Sequence, residues 1–286
     1  MVNMKVAVVG TGNVGSALLL HLADVPSVAE ILVMNVEDDW SKAAIMDVAS
    51  AKPDAALKME VASFGRINEP DILVLTSGVQ MKEGETGRDV LSRNMEVMNT
   101  ILDTAPMKSS AIVIGLATPV DDITAHIQKR YSLPHSQVLG FGGDLDRNRL
   151  AYVLSRHGIP NQGIHVAGEH GKNTIPVYAG EKDFDEVKKR VGNFLGDITA
   201  QGGRPRNLAT GLLLARLVES IVMDLNRVHH VCGYHSEYGL YLTWPFRIGR
   251  KGILGPEPVN LLPRARADLL ALVEKKRKKR EQLKTL

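Results

Sequence analysis

Apolar positions in the first half of the chain fall into short, nearly unbroken runs separated by longer stretches of mixed polarity. The run 5-KVAVVG-10 is β-branched and ends at glycine, the pattern of a strand buried on both faces. Residues 16-SALLLHLADV-25 then have helix composition and length. The alternation repeats, with apolar strands predicted at 30-EILVMNV-36, 71-DILVLTS-77 and 111-AIVIGLA-117. Helices are predicted over 41-SKAAIMDVAS-50, with Ser41 as its cap, and over 89-DVLSRNMEVMNTILDTA-105 and 120-VDDITAHIQKR-130. Apolar strands alternating with helices predict a parallel sheet covered on both faces.

The texture changes after about residue 140. A helix is predicted at 145-LDRNRLAYVLSRHG-158, closed by Gly158, and 163-GIHVAGEHG-171 begins as a short strand. Residues 183-DFDEVKKRVGNFLGDI-198 read as an amphipathic helix interrupted by glycine, and 201-QGGRPRN-207 as a loop. The largely apolar 208-LATGLLLARLVESIVMDLN-226 predicts a helix buried in a core or a subunit contact. Strands are expected at 228-VHHVCGYH-235 and 243-TWPFRIG-249, where Pro245 suggests an edge or a break. The tail 264-RARADLLALVEKKRKKREQL-283 is helical in composition. The expected organisation is an α/β fold, with a nucleotide-binding domain over residues 1–140 and a second, α+β domain over 141–286.

Apolar residues make up 44% of the 286 positions and charged residues 23%, so a folded chain is expected. The formal charge of +3 does not call for a nucleic-acid partner. The basic run 275-KKRKKR-280 has no interleaved aromatic residues and reads as a solvated helix end. The single cysteine, Cys232, cannot form an internal disulfide. The N-terminus carries no apolar leader, and no run is long enough to span a bilayer. A cytoplasmic protein without a membrane partner is the expectation.

The strongest local motif is 10-GTGNVG-15, which follows the first strand and opens the first helix. Gly10 allows the tight turn, Gly12 lets backbone approach a pyrophosphate, and Gly15 lets helix and strand pack closely. The free amides at the helix start, through Asn13 and Val14, favour an anion. A Rossmann-type dinucleotide site is predicted. The second strand ends at Asn35 where a ribose-binding carboxylate is usual, which leaves NADP possible beside NAD. The acidic Glu37, Asp38 and Asp39, with Lys42 the one nearby cation, favour NAD. Among His229, His230 and His235 no spacing matches a zinc site; they read as mostly structural or surface residues, and no metal is expected.

Three segments taken together, 10-GTGNVG-15, 145-LDRNR-149 and 168-GEHG-171, resemble the lactate/malate dehydrogenase family. The resemblance extends to 216-RLVESIVMDLNRV-228 and 237-EYGLYLTWPFRIGRKG-252 and covers most of the chain. It implies that His170 is the acid–base group, Asp146 the carboxylate that orients it, and Arg149 the clamp on a substrate carboxylate. These residue types suit alcohol oxidation. Histidine titrates near neutrality, a carboxylate fixes its tautomer, and a guanidinium fork matches a carboxylate. The glycines flanking His170 are expected to leave room for ring and substrate. Further cofactor contacts are implied at Gly78, Asn94 and Thr118, and the family's usual dimers or tetramers make a homo-oligomer the expectation.

The departures concentrate on substrate selection. In the loop 77-SGVQMKEGETGRDVLSRN-94, the resemblance implies two arginines, and Met81 and Gly87 hold their places. Lys82 and Arg88 each lie one residue away and are candidate replacements. Thr118 stands where asparagine is usual, Lys172 where aspartate is usual, and Pro205 near a usual small hydroxyl, flanked by Arg204 and Arg206. The substrate residues expected are therefore Arg149, Met81, Lys82, Arg88 and Arg206. The expected function is an NAD(P)-dependent oxidoreductase acting on an unusual 2-hydroxy or 2-keto acid. A non-catalytic dinucleotide-binding sensor or scaffold, and a redox enzyme whose substrate lacks the carboxylate, are the alternatives.

Overall fold

The computed structural model describes residues 3–82, 84–201 and 207–282. Its strands in chain order are β1 (Met4–Val9), β2 (Val28–Met34), β3 (Met59–Val61), β4 (Ile72–Leu75), β5 (Ile112–Gly115) and β6 (Val138–Phe141), then β7 (His165–Gly168), β8 (Thr174–Val177), β9 (Arg227–His235), β10 (Leu240–Gly249) and β11 (Gly252–Pro256). The helices are α1 (Asn13–Leu22), α2 (Asp38–Ala51), the short α3 (Pro53–Ala56), α4 (Gly87–Leu102), α5 (Val120–Tyr131), α6 (Gly143–Arg156), α7 (Phe184–Ala200), α8 (Leu208–Val222) and α9 (Pro263–Gln282).

All eleven strands form one sheet, ordered β3-β2-β1-β4-β5-β6-β9-β10-β7-β8, with β11 on β10. The first six are parallel, as their unbroken apolar runs predict: Ile72, Val74, Ile112 and Ile114 pack toward one helical layer, and Leu73, Leu75 and Val113 toward the other. The order reverses between β1 and β4, which opens a crevice at the carboxyl ends of those strands. From β6 onward the pairing is antiparallel.

Several elements depart from the sequence pattern. Strands β3, β6, β8 and β11 do not stand out as apolar runs, because glutamate, glycine, threonine or proline interrupts each of them. Helix α2 begins three residues before Ser41, with Asp38 and Asp39 in its first turn. Helix α7 runs unbroken through Gly192 and Gly196. At Gly192 a Cβ would lie 3.2 Å from the Lys172 Cα, so that glycine serves a close approach to the chain after His170. Pro245 neither ends nor breaks its strand: it lies inside β10, paired with His230 of β9. Its carbonyl accepts from the Glu257 N–H on the other side, where β10 passes from its β7 partner to β11. The missing N–H thus falls at a gap in the ladder. Pro176, by contrast, sits in β8, a true edge strand.

Helix α8 is buried as expected. Gly211 lets it press on α1, because a Cβ there would lie 2.6 Å from the Ala17 Cβ. The second half of the chain is thereby packed directly against the helix that follows the glycine-rich turn. No described helix is long and apolar enough to cross a membrane.

Candidate active site

The turn after β1 has the geometry that its glycines predict. Gly10 has φ +100°, and a Cβ there would meet the Ser77 Oγ at 2.6 Å. A Cβ on Gly15 would collide with the Gly10 carbonyl oxygen at 1.9 Å. Gly12, in contrast, faces open space and is the N-cap of α1, with no side chain capping the helix. Its neighbours Asn13 and Val14 open the first turn, so backbone amides are left for an anion at a helix N-terminus. Thr76 and Ser77, at the end of β4, donate from their hydroxyls to the Val9 carbonyl and brace the turn across the crevice.

Asn35 is half-buried beside this turn. Its Nδ2 donates to the Thr11 Oγ1 at 2.6 Å, and its Oδ1 accepts from the Val36 N–H at 2.8 Å. Lys42 is paired with Asp39 at 2.9 Å. Gly78 is exposed, and Asn94 packs beneath it. Asn94 is fully buried, with Oδ1 accepting from the Val79 N–H and Nδ2 donating to the Thr118 carbonyl, both at 2.7 Å. It staples the loop after β4 to the loop after β5. Thr118 itself is exposed at that second loop.

Asp146 and Arg149 lie one turn apart on α6, and His170 follows β7. The His170 Nδ1 is 2.7 Å from the Asp146 Oδ2. The same oxygen accepts from the Gly171 N–H at 3.0 Å and the Thr174 hydroxyl at 2.7 Å, while Oδ1 accepts from the Arg149 Nη1 at 2.9 Å. Asp146 is fully buried, so these four partners stand in for water. Burial pushes its carboxyl up, but the charge of His170 and the bonds from His170, Thr174 and Gly171 prevail and hold it below the usual carboxylate range. Burial likewise works against the His170 imidazolium, yet the Asp146 carboxylate raises the ring above its ordinary value, with Arg149 opposing. The ring stays 23% exposed, so its far nitrogen is open to a reacting group.

Of the glycines around His170, Gly171 faces open space, whereas a Cβ on Gly168 would lie 2.9 Å from the Asn173 carbonyl oxygen. Gly171, at φ +91°, turns its N–H onto Asp146. Space for the ring comes from Gly142, where a Cβ would lie 2.4 Å from the His170 Cγ. Nothing in the local motif points to Gly142, because it lies 28 residues upstream.

Arg149 is mostly buried and has one nitrogen bonded to Asp146, so its fork is not wholly free for the two-bond clamp expected of it. Its guanidinium lies 5.8 Å from the Phe194 ring centre. It borders a groove of about 390 Å³ between α6, α7 and α8, walled by Leu145, Tyr152, Phe194, Leu195, Ile198 and Leu208. Met81 (59% exposed) and Lys82 lie on the surface of the loop before α4, and Arg88 is exposed in the first turn of α4. The loop is braced by Arg93, which reaches Glu85 at 2.6 Å and the Gln80 carbonyl at 2.9 Å. Thr86 and Asp89 cap α4 reciprocally. Arg204, Pro205 and Arg206 lie outside the described residues.

The three late histidines are not surface residues: His229, His230 and His235 are all buried. His229 bridges the Asp144 Oδ2 at 2.7 Å and the Ser220 Oγ at 2.8 Å, and the His230 N–H donates to the Asp144 Oδ1 at 2.7 Å. These bonds hold the Asp144 carboxyl down to about 2 against the effect of its burial. They anchor the first turn of α6 to β9 and so fix the helix that carries Asp146 and Arg149. The Ser–His–Asp order is that of a hydrolase triad, but Ser220 is fully buried and donates to the Arg216 carbonyl. Among the described residues no three His, Cys, Asp or Glu side chains converge on a common metal position.

Comparison with known proteins agrees with this geometry. Residues 4–140 match the family model "lactate/malate dehydrogenase, NAD binding domain". L-lactate dehydrogenase A of Rhizopus oryzae is 29% identical over 296 residues, covering 96% of this chain and 91% of that protein. L-lactate dehydrogenase of Clostridium perfringens is 27% identical over 277 residues, covering 87% of each. The solved structure of a lactate dehydrogenase from a Medee basin deep-sea metagenome library superimposes with a TM-score of 0.84 over 97% of this chain and 98% of that one, at 22% identity, which speaks to the fold. The chain thus has a Rossmann-type NAD-binding domain followed by an α+β catalytic domain, the fold of a lactate dehydrogenase, and along most of its length it is similar in sequence to L-lactate dehydrogenases.

Proposed function

We propose that the protein is a nicotinamide-dependent dehydrogenase of a 2-hydroxy or 2-keto acid larger and less polar than lactate or malate. The observation that carries this reading is the His170–Asp146 pair, buried on one side, open on the other, with Arg149 on the same carboxylate. Asp146 holds the His170 Nδ1–H, leaving Nε2 to take the hydroxyl proton in oxidation or return it in reduction. The unengaged nitrogens of Arg149 attract the substrate carboxylate. The apolar groove beside Arg149, together with Met81 in place of a cation, supports a bulky apolar substituent.

The nucleotide residues fit NAD. Gly10, Gly12 and Gly15 leave a cradle at the start of α1, and amides at Asn13 and Val14 suit its pyrophosphate. Bound there, the nicotinamide supplies the hydride acceptor or donor that the side chains lack. The pairing of Lys42 with Asp39, beside Glu37 and Asp38, supports NAD over the 2′-phosphate of NADP. The domain division near residue 140, the assembly of the chain as a dimer or tetramer, and its cytoplasmic location belong to the same reading.

The test is an absorbance assay of NADH and NADPH oxidation against branched, aromatic, phosphonate-bearing and dicarboxylic 2-keto acids, with His170→Ala as control. Turnover on the branched or aromatic acids, lost in the control, is the expected result, and turnover confined to the phosphonate-bearing or dicarboxylic acids would overturn the apolar substituent. Silence across the panel with measurable NADH binding would overturn it in favour of a sensor or scaffold, the reading that Met81 and Gly87 favour.

A further inference from the structure

The basic run at the end of the chain is exposed at Lys275, Arg277, Lys278 and Lys279, as a solvated helix end would be, but Lys276 is an exception. On α9, Ala265, Leu269 and Val273 are buried, and Lys276 follows on the same face at helical spacing. Its side chain is only 12% exposed, and its Nζ lies 2.8 Å from the Glu169 Oε1. Its neighbours dock as well: Arg277 donates to the Tyr238 carbonyl at 3.0 Å, and Lys279 to Asp122 at 2.9 Å.

Glu169 immediately precedes His170. Its other carboxylate oxygen accepts from the Asn173 Nδ2 at 2.6 Å. Its carbonyl lies 3.0 Å from the Thr174 hydroxyl, the group that also touches Asp146. Behind the pair is Asp121 of α5, 5% exposed, whose Oδ1 has no hydrogen-bond partner among the described residues. Burial pushes the Asp121 carboxyl up, and Lys276 is the foremost influence opposing that. The carboxylates of Asp121 and Glu169 in turn hold the Lys276 ammonium charged against its burial. The Asp121 carboxylate also acts on His170.

We propose that Lys276 is a positioning residue for His170: reaching in from the C-terminal helix, it fixes Glu169 and balances the carboxylates behind the ring. The inference rests on the acid–base reading of His170 for its meaning in catalysis, though the contact exists regardless. Asp146 and Arg149 from α6 and Asp121 from α5 act on the ring directly, whereas Lys276 from α9 meets Glu169, next to the ring in the chain, and acts on Asp121. The buried Cys232 of β9 faces Asp121 and carries no charge, since burial raises its thiol well above the ordinary value. Removing the ammonium exposes the ring to unbalanced negative charge and favours imidazolium, and removing Glu169 does the opposite.

The experiment is a ring-resolved NMR titration of histidine-labelled full chain, with the His170 signal assigned by its loss in His170→Ala. Lys276→Met should raise the His170 midpoint by about half a unit or more, Lys276→Arg should restore it, and Glu169→Gln should lower it. Where Lys276→Met fails to fold, Glu169→Gln alone carries the test. No displacement in folded variants, or displacements of one sign in both, overturns the proposal in favour of simple helix docking. If His170→Ala still turned over a 2-keto acid, the acid–base reading would fall, while opposite NMR shifts would leave the Lys276 contact standing.

Discussion

The cluster around His170 and the loop between β4 and α4 belong, on the proposed reading, to one active site, yet they are built in opposite ways. Asp146 is inaccessible and accepts four hydrogen bonds, and His170 is wedged against a glycine that admits no side chain. In the loop and the first turn of α4, Met81, Lys82 and Arg88 are exposed, and order comes from Arg93, Glu85 and the α4 cap. The difference teaches that proton chemistry is written into packing, whereas substrate choice is left to surface residues that can change without disturbing the fold.

The sharpest way to break this contrast is Asp146→Ala. It leaves the Arg149 guanidinium, the His170 ring, the Thr174 hydroxyl and the Gly171 N–H without their shared acceptor. A loss of about 3–5 kcal/mol of stability is expected, as for a broken buried ion pair. Asp146→Asn keeps the shape and should lower turnover about 10⁴-fold through the wrong ring tautomer. Chemical denaturation and NADH-coupled turnover measure the two. Equal effects on Asp146→Asn and on a loop substitution such as Met81→Ala would abolish the contrast.

Next in size is the effect of pH on stability. The His170 value is raised in the folded protein above 6.5, so its contribution is complete below pH 6.5 and is lost as pH rises through the folded value. The Asp146 value is lowered beneath 3.8, so its contribution is complete above pH 3.8 and is lost as pH falls through the folded value. Urea unfolding followed from pH 3 to 9 should show a plateau between these limits. In His170→Ala the decline above pH 6.5 should flatten; an unchanged decline would show that other groups cause it.

Glycine offers a finer test. Gly142→Ala puts a Cβ 2.4 Å from the His170 Cγ at φ +157°, and should displace the ring and destabilise by about 1–3 kcal/mol. Gly12→Ala meets no protein atom within 4 Å, so the melting temperature should hold while NADH affinity falls. Thermal melts and NADH titrations of both variants separate a glycine needed by the protein from one needed by its ligand.

Much of the fold could be read from the sequence because β1, β2, β4 and β5 are buried on both faces and must be apolar throughout. Strands β6 (VLGF) and β8 (TIPV) are not legible because glycine, threonine and proline interrupt their short apolar runs, and the place of Pro245 inside β10 is not, because partner exchange along a strand is a tertiary event. The family resemblance of three short motifs brought His170, Asp146 and Arg149 together. Neither the Asp146–Arg149 bond nor Gly142 behind the ring follows from spacing. Lys276 was hidden by its own basic neighbours: only Glu169 and Asp121, more than a hundred residues upstream, mark it as buried. The heptad continuation from Leu269 and Val273 was the one local signal available.

The smallest expected effect concerns the loop, and it runs toward gain. Restoring cations by Met81→Arg and Gly87→Arg places charge at an exposed loop position and at the first residue of α4. Stability should fall by only about 0.5 kcal/mol, from a cation at a helix N-terminus. Removing a donor that polarises the reacting oxygen commonly costs about a hundredfold or more in rate. Restoring one in a loop not otherwise adapted should recover a fraction, about tenfold in kcat/KM for a small dicarboxylic 2-keto acid over the parent chain. Activity on the preferred bulky substrate should fall in the same assay, because a guanidinium replaces the apolar Met81. A gain on the small substrate with no loss on the bulky one would mean that Met81 does not select, and would move specificity to the groove beside Arg149.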